Sequence, residues 1–353
     1  MANKIAFMGV GAVGGYAGAH MAQAGEDVTF IDPWPAHVEK MQRDGLKISH
    51  IRDVPEFTAK VRAMHVTDAQ QLAKEQPIDI AFVCMKSYDT EWAATLISQY
   101  LAPGGFIVSL QNCMNEETIA GVVGWGKTVG CIASSITVDL CEPGHVRRAA
   151  GKSGKRHTVF RTGEVHGRVT DRVKEICRLV SLADSAMVTE NLWGERWSKL
   201  VTNVMGNGLS ACTGMLGKEM VQNDAIRHFS ARLGSEAIRV GQALGYELEE
   251  IQHLDPEIIA RAGEGDAAAT RHYDEHRLAE VSGGGGEHRP SMGQDMVKGR
   301  RTEIEFLNGM VAKKGDEIGI ATPANVVLTD IVKRVERGEL RPDPKHITDL
   351  RLN

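Results

Sequence analysis

The sequence has little of what marks several classes of protein. Aromatic residues make up only 5% of its 353 residues, and the 41 Lys and Arg do not outnumber the 46 Asp and Glu, so the formal net charge is -5. Without a basic excess, the chain lacks the electrostatic footprint of a nucleic-acid-binding protein. The six cysteines show no C-x-x-C spacing, which indicates reduced thiols in a reducing compartment.

A long apolar run is also missing. The best candidate for a membrane span, Ile5 to Gly25, contains six glycines and is interrupted by His20, so we reject it as a transmembrane helix. No positively charged segment followed by an apolar one precedes the strand-like run at Lys4, and we therefore expect a cytoplasmic protein with no membrane partner.

The length and the alternation of patterns predict two domains. At ~150 residues per domain, the chain has room for two. Short apolar runs at Ile5–Met8, Val28–Ile31, Ile78–Cys84 and Phe106–Leu110 alternate with helical segments, which predicts a doubly wound, Rossmann-type α/β domain over 1–190. Shorter strands at 47–66 and 128–160 are expected to extend its sheet in antiparallel fashion.

After residue 190 the pattern changes to long helical periodicity. We expect an all-α domain over 191–353, with helices over Trp193–Gly214, Ala225–Leu244 and Met296–Gly315. The stretch near 262–290 is polar, contains four consecutive glycines and lacks sustained periodicity. It is interpreted as a flexible loop or insertion.

The strongest local signal is a glycine motif at the first strand-to-helix turn. Gly9, Gly11 and Gly14 form G-x-G-x-x-G between a predicted strand and a predicted helix. Glycines allow the tight turn, the close approach of a pyrophosphate and close helix packing, while the helix N-terminus attracts the anion. Asp32, 18 residues later, ends the next strand and would accept hydrogen bonds from the ribose of NAD but repel a 2′-phosphate. The alternative is that Asp32 only begins an Asp-Pro turn.

A lysine and two amides recur along the first helix of the second half. Lys199, Asn203 and Asn207 lie at i, i+4 and i+8, so on a regular helix they share one face. Asparagine is an indifferent helix former, and a solvent-facing surface usually carries Glu and Lys instead. The pattern therefore indicates a functional face, with an ordinary polar surface as the alternative.

Taken in order along nearly the whole chain, five motifs resemble the ketopantoate reductase family. They are Gly9 to Gly14, Cys84-Met85-Lys86, Leu110-Gln111-Asn112, the helix with Lys199, Asn203 and Asn207, and Ser291-Met292 with Gln294-Asp295 before Arg300 to Glu305. The resemblance implies a Rossmann-type N-terminal domain, an all-helical C-terminal domain, and reduction of a 2-keto acid by a nicotinamide cofactor in a cleft between them.

The resemblance also implies a role for each matching residue. Lys199 would protonate the forming alkoxide, which agrees with the charge that hydride transfer leaves on a carbonyl oxygen. Glu303 would bind a substrate hydroxyl and orient the lysine. The remaining matches would bind substrate (Asn203, Asn207, Ser291) or lie where cofactor and substrate meet (Lys86, Asn112). Ser291 with Gln294 also fits a helix capping box, and Lys86 and Asn112 could be ordinary strand-end residues.

Three departures from the family pattern bear on cofactor and substrate. Cys113 stands where a glycine usually follows the asparagine, Asp32-Pro33-Trp34 offers no basic residue for NADPH, and the stretch 250–290 is long. The sequence therefore predicts an NAD-dependent relative, with NADP as the alternative, that acts on a 2-keto or 2-hydroxy acid. A homodimer is the expected assembly.

Three further functions stay open from the sequence. One is the NADPH-dependent 2-dehydropantoate 2-reductase of pantothenate synthesis. A second is a non-catalytic regulator that senses NAD, which would keep the glycines and Asp32 but have no use for Lys199. The third is a zinc site, because His272 to His276 match H-x-x-E-H. No third ligand stands at a set distance from that motif, and the preferred interpretation is a solvated helix end without metal.

Overall fold

Two compact units, Met1–Leu192 and Trp193–Asn353, make up the chain in the computed structural model. The structure describes residues 3–51, 54–134, 136–149, 151–153, 157–284, 286 and 289–351. Of the glycine run at 283–286, Gly285 lies outside the described residues. Within the described ranges, no helix is both long and apolar enough to cross a bilayer.

The first unit is an α/β unit with two sheets. Its strands are β1 (Lys4–Met8), β2 (Asp27–Asp32), β3 (Leu46–His50), β4 (Phe57–Ala59), β5 (Arg62–His65), β6 (Ile78–Val83), β7 (Leu101–Ser109), β8 (Thr128–Ala133), β9 (Val138–Glu142), β10 (His145–Arg148), β11 (Phe160–Glu164) and β12 (Ala186–Val188). Its helices are α1 (Ala12–Gln23), α2 (Pro35–Asp44), α3 (Thr90–Ser98), α4 (Glu116–Val123) and α5 (Asp171–Ser181).

The main sheet has the strand order β12-β11-β8-β7-β6-β1-β2-β5. Its strands run parallel from β5 through to β8, and only the pairing of β11 with β8 is antiparallel. The predicted Rossmann-type domain is confirmed, and β1, β2, β6 and β7 bring their carboxyl ends to one edge. In such a sheet, ligands bind outside the carboxyl ends of the strands.

The expectation that the short strands all extend the main sheet is wrong. Strands β4, β3, β10 and β9 form a separate four-stranded sheet, while β5 and β8 join the main sheet in parallel. The small sheet packs on α1, and this helix is consequently buried from Gly14 to Met21. Its small, apolar residues fit a helix covered on several sides, and a β-carbon on Gly15 would stand 3.1 Å from the Val146 side chain of β10.

The described part of the second unit is helical, as predicted. Its helices are α6, which begins at the unit boundary (Leu192–Val204), α7 (Asn207–Thr213), α8 (Gly217–Gln222), α9 (Asp224–Ala243), α10 (Pro256–Gly263), α11 (Ala267–Ser282), α12 (Ser291–Val297), α13 (Asn308–Ile318), α14 (Pro323–Glu336) and α15 (Lys345–Thr348). The core of this unit lies around α9, whose buried side includes Leu233, Ala237 and Val240.

Three expectations for this unit are corrected. The helix predicted over Trp193–Gly214 breaks after Val204, and the one predicted over Met296–Gly315 is interrupted between α12 and α13. The polar stretch near 262–290 is largely the helix α11, which packs on α10 and α8. The apolar periodicity of a helix is weak in this stretch because α11 buries few residues, chiefly Ala269, Tyr273 and Val281. A missed signal was Asp266, whose side chain caps the helix by accepting from the Ala269 N–H at 2.8 Å.

Candidate active site

The glycine turn joins β1 to α1, and two of its glycines are required by the protein's own packing. Gly9 adopts φ +92°, and a β-carbon there would lie 2.5 Å from Met85 Sδ. A β-carbon on Gly14 would lie 2.5 Å from the Gly9 carbonyl oxygen and 2.8 Å from Cys84 Cβ. These two positions therefore hold the turn tightly against the end of β6.

Gly11 differs from its two neighbours. It is the N-cap of α1, with φ −67° and ψ −163°, and a β-carbon there would meet no described atom within 4 Å. No acidic side chain stands in the first turn of α1, and no described side chain caps it. The structure thus leaves room beside Gly11 at a helix N-terminus, where backbone N–H groups and the helix dipole favour a phosphate.

Asp32 is fixed at the carboxyl end of β2, next to the glycine turn. Its buried carboxylate accepts the Val10 N–H at 2.7 Å and the Trp34 N–H at 2.9 Å. The Asp-Pro turn expected as the alternative is therefore present. A ribose role stays compatible with it, because each carboxylate oxygen can accept more than one hydrogen bond.

A histidine that sequence analysis missed supports the glycine turn from α2. His37 is fully buried, its Nδ1 accepts the Gly144 N–H at 2.8 Å, and its Nε2 lies 2.9 Å from the Val10 carbonyl oxygen. Since Nδ1 is an acceptor, Nε2 carries the hydrogen and donates it to Val10. Burial lowers the pKa of His37, against the pull of the Asp32 carboxylate. No motif in the sequence marks this residue.

Lys86 and Asn112 follow β6 and β7, and a buried polar network joins their two loops. Gln111 Nε2 donates to the Met85 carbonyl at 2.9 Å and to Thr90 Oγ1 at 2.8 Å. Asn115 Nδ2 donates to the Asn112 carbonyl at 2.7 Å. Lys86 and Asn112 are themselves half-buried. The network fixes both loops at the same edge of the sheet as the glycine turn.

Cys113 takes the backbone conformation of a glycine. It is buried and has φ +67°, in the left-handed region that glycine occupies without strain. The residue that departs from the family pattern therefore adopts a conformation typical of glycine and places a thiol beside Asn112. The distortion is confined to a turn whose neighbours, Gln111 and Asn115, are held by hydrogen bonds.

In the second unit, Lys199 lies in the middle of α6. Its side chain is half-buried, and burial lowers its pKa from that of an ordinary lysine. One turn later, Asn203 Nδ2 is buried and has no hydrogen-bond partner among the described residues. An unsatisfied buried donor costs about 1–3 kcal/mol and therefore calls for an explanation, such as an acceptor supplied by a ligand.

Asn207 does not continue the helical face of Lys199 and Asn203. Helix α6 ends at Val204, and Asn207 is the buried first residue of α7. The i+8 geometry of one regular helix, on which the sequence argument relied, is therefore wrong. The break itself brings the start of α7 close to the turn that follows Glu303, because a β-carbon on Gly208 would stand 3.1 Å from Ile304 Cδ1.

Ser291 and Glu303 lie on either side of the end of α12. Ser291 is exposed and is the first residue of that helix, whereas Pro290 is the N-cap, so Ser291 is not the capping residue. Glu303 is buried and precedes a 3₁₀ turn at Ile304–Phe306. Helix α12 packs on α7, with Gly293 facing Ser210.

The candidate residues thus form two groups. Gly9, Gly11, Gly14, Asp32, Lys86 and Asn112 lie in the first unit, at the carboxyl ends of neighbouring strands. Lys199, Asn203, Asn207, Ser291 and Glu303 lie in the second unit, on α6, α7, α12 and the turn before α13.

The H-x-x-E-H segment lies on α11 and is used structurally. Asp274 accepts from Arg227 Nε at 2.7 Å, and His276 Nε2 lies 2.9 Å from the Gln252 carbonyl oxygen. Within the described ranges, no group of three or more His, Cys, Asp or Glu side chains could hold a metal ion. The zinc alternative finds no support here.

Comparisons with known proteins agree with the geometry of both units. Residues 5–158 match the sequence profile described as "Ketopantoate reductase PanE/ApbA", and residues 191–336 match its C-terminal counterpart. A 2-dehydropantoate 2-reductase from Archaeoglobus fulgidus is 30% identical over 341 residues, covering 95% of this chain and 98% of that protein. The chain belongs to the ketopantoate reductase family.

Two solved structures extend the comparison. A family member from Ralstonia eutropha JMP134 has a TM-score of 0.77 at 26% identity, covering 95% of this chain and 99% of that one. A ternary structure of D-mandelate dehydrogenase with NADH and anilino(oxo)acetate has a TM-score of 0.76 at 24% identity with the same coverages, which shows the fold alone. The predicted family, its two-part fold and its function as a 2-keto acid oxidoreductase are confirmed.

Proposed function

We propose that the protein reduces a 2-keto acid with NADH and that Lys199 donates the proton. The observation that carries the proposal is the pairing on α6 of a half-buried lysine of lowered pKa with Asn203, one turn away, whose buried amide nitrogen lacks a described partner. A polar substrate would supply that partner.

The role of Lys199 follows from the negative charge that develops on the substrate during reduction. When bound, a reduced nicotinamide would supply hydride to the carbonyl carbon. Negative charge then grows on the carbonyl oxygen, and the ammonium of Lys199 stabilises it and transfers its proton there. A lowered pKa makes the lysine a stronger acid and brings it closer to the working pH, which favours proton transfer.

The remaining residues of the second unit would bind the substrate. Asn203 and Asn207 would donate hydrogen bonds to its oxygens, and the exposed hydroxyl of Ser291 would bind its carboxylate. Glu303 would accept from a substrate hydroxyl and orient Lys199. The second unit, predicted as 191–353, is in this proposal the substrate domain.

The first unit, predicted as 1–190, would bind the dinucleotide. Its residues fit such a ligand because the room beside Gly11 is where a pyrophosphate would approach the start of α1. Asp32 favours NAD over NADP, since its buried carboxylate would repel a 2′-phosphate. Lys86 and Asn112 would complete the site beside the nicotinamide. The fold accommodates NADH in D-mandelate dehydrogenase.

A titration and a substrate panel test this proposal together. Purified protein is titrated with NADH and NADPH, and absorbance decay is followed with each 2-keto acid. We expect tighter binding of NADH, and turnover of at least one 2-keto acid. Equal or tighter binding of NADPH would remove the role given to Asp32.

The alternative is the pantothenate enzyme, and the names of the curated relatives are consistent with it. Ketopantoate reduction with kcat/KM of ~10⁴ M⁻¹s⁻¹ or more, above every other 2-keto acid, would establish it. Binding of NADH without any turnover would instead support a regulator. We also propose that the protein is cytoplasmic and forms a homodimer. Light scattering of the purified protein tests the dimer, and a relative from Staphylococcus aureus is described as dimeric.

A further inference from the structure

The break between α6 and α7 separates the two asparagines that our proposed function places on the substrate. Asn203 is the second-last residue of α6, and Asn207 is the first residue of α7. Whatever fixes the geometry of this break also fixes the relative placement of the two amides. The present inference rests on that proposed function.

One side chain, Asn308 at the start of α13, contacts both sides of the break. It is fully buried, and its Nδ2 donates to the Val204 carbonyl, at the last residue of α6, over 3.3 Å. On the other side, a β-carbon added to Gly208, the second residue of α7, would stand 3.3 Å from Asn308 Oδ1. The amide therefore lies beside α7, together with Leu328 Cδ2 and Ile304 Cδ1, which would stand 2.9 and 3.1 Å from the same β-carbon.

Asn308 is itself held by a chain of buried polar groups. Its Nδ2 also donates to Asn325 Oδ1 at 2.9 Å, and Asn325 Nδ2 donates to Glu236 Oε2 at 2.8 Å. Glu236 accepts the N–H groups of Ala324 and Asn325 at 2.9 and 3.0 Å, so it caps the start of α14. The chain therefore links the break to two rigid helices, α9 and α14.

The amide of Asn308 makes two hydrogen bonds and leaves one acceptor open. Its Nδ2 donates to the Val204 carbonyl and to Asn325 Oδ1, while its Oδ1 is buried and has no hydrogen-bond partner among the described residues. An apolar residue of similar size would avoid the cost at Oδ1 but would leave the Val204 carbonyl without this donor. Replacing the amide therefore acts directly on the break between α6 and α7.

We propose that Asn308 is a positioning residue for substrate binding. Through the Val204 carbonyl and the close contact with Gly208, it holds α6 and α7 at the separation that lets Asn203 and Asn207 bind one 2-keto acid. It touches neither substrate nor cofactor in this proposal. A displacement of about 1 Å in a binding group can cost on the order of a hundredfold in rate.

The test compares Asn308→Leu with Ser235→Ala, a matched control. Ser235 is also buried in the second unit and donates to a backbone carbonyl, that of Ala260, at 2.8 Å, but it lies away from the break. For each variant we measure Tm, the Kd of NADH, the KM and kcat for the best 2-keto acid, and the Kd of oxamate, an unreactive analogue.

We expect Asn308→Leu to raise KM and the oxamate Kd at least tenfold, with the NADH Kd within twofold of wild type and the pH at which kcat/KM falls unchanged. Ser235→Ala should leave KM within twofold. Because Asn308→Leu could fail to fold, Gly208→Ala provides a second variant. Its methyl would stand 3.3 Å from Asn308 Oδ1, and also 2.9 Å from Leu328 Cδ2 and 3.1 Å from Ile304 Cδ1, so it crowds the start of α7 and should raise KM in the same way.

An unchanged KM in folded Asn308→Leu or Gly208→Ala would overturn the inference, as would an equal rise in Ser235→Ala. These outcomes are distinct from failure of the proposed function, which would show as no reduction of any 2-keto acid by the wild-type protein. In that case the inference falls with it.

Discussion

Two alanine substitutions in the glycine turn should separate cofactor binding from folding. In Gly14→Ala, the new methyl would be forced to within 2.5 Å of the Gly9 carbonyl oxygen and 2.8 Å of Cys84 Cβ. In Gly11→Ala, the methyl would meet nothing described within 4 Å, and the backbone angles there suit any residue. The same chemical change is therefore costly at one position and tolerated at the other.

The magnitudes follow from these contacts. Overpacking of this kind typically costs about 1–3 kcal/mol, so Gly14→Ala should lower the free energy of unfolding by that amount. Gly11→Ala should lose at most ~1 kcal/mol, the usual cost of alanine at an N-cap. If its methyl blocks one N–H bond to a pyrophosphate, which as a charged acceptor is worth about 1.5–3 kcal/mol, NADH should bind at least ~10-fold more weakly.

Denaturant unfolding and NADH titration of both variants provide the assay. The expected pattern is a stable Gly11→Ala protein that binds NADH poorly and a destabilised Gly14→Ala protein. Normal NADH affinity in Gly11→Ala would refute the argument, because the room at the start of α1 would then not be the pyrophosphate site. A Gly14→Ala protein as stable as the wild type would contradict the close packing around Gly14.

Three more predictions concern titrating groups. Lys199→Ala should lower kcat by about 10²–10⁴-fold with NADH binding intact, and a variant retaining more than about a tenth of kcat would exclude general-acid catalysis by this residue. In the wild type, kcat/KM for reduction should fall as pH rises through the lowered pKa of Lys199, at a lower pH than an ordinary lysine would give, and a profile flat up to pH ~10 would contradict this. Burial lowers the pKa of His20 to about 4; the unfolded chain then binds the extra proton between pH ~6.5 and 4, so stability should fall by up to ~3 kcal/mol as pH drops through that window. His20→Phe should flatten this dependence, and an unchanged slope in that variant would show that other groups cause it.

The sequence by itself determined the features that depend on residues close together along the chain. The strand, glycine turn and helix over Lys4–Gln23 could be read from residue order, because glycines and apolar runs act within a few positions. The alternation of strands and helices and the later helical periodicity gave the two-part fold for the same reason. The residues of the candidate site came from motifs in order along the chain and from the family they resemble.

Tertiary structure decided the features that depend on distant partners. The helix expected over Trp193–Gly214 breaks where Val204 meets Asn308, more than a hundred residues later. His37 can donate to the Val10 carbonyl in the glycine turn because the distant Gly144 N–H donates to its Nδ1 and so leaves the hydrogen on Nε2. Strands β3 and β10 belong to the small sheet that covers α1 and not to the main sheet. Their pairing joins segments about a hundred residues apart. A local pattern contains no information about such contacts, because the free energy that favours them is gained only when the chain has folded.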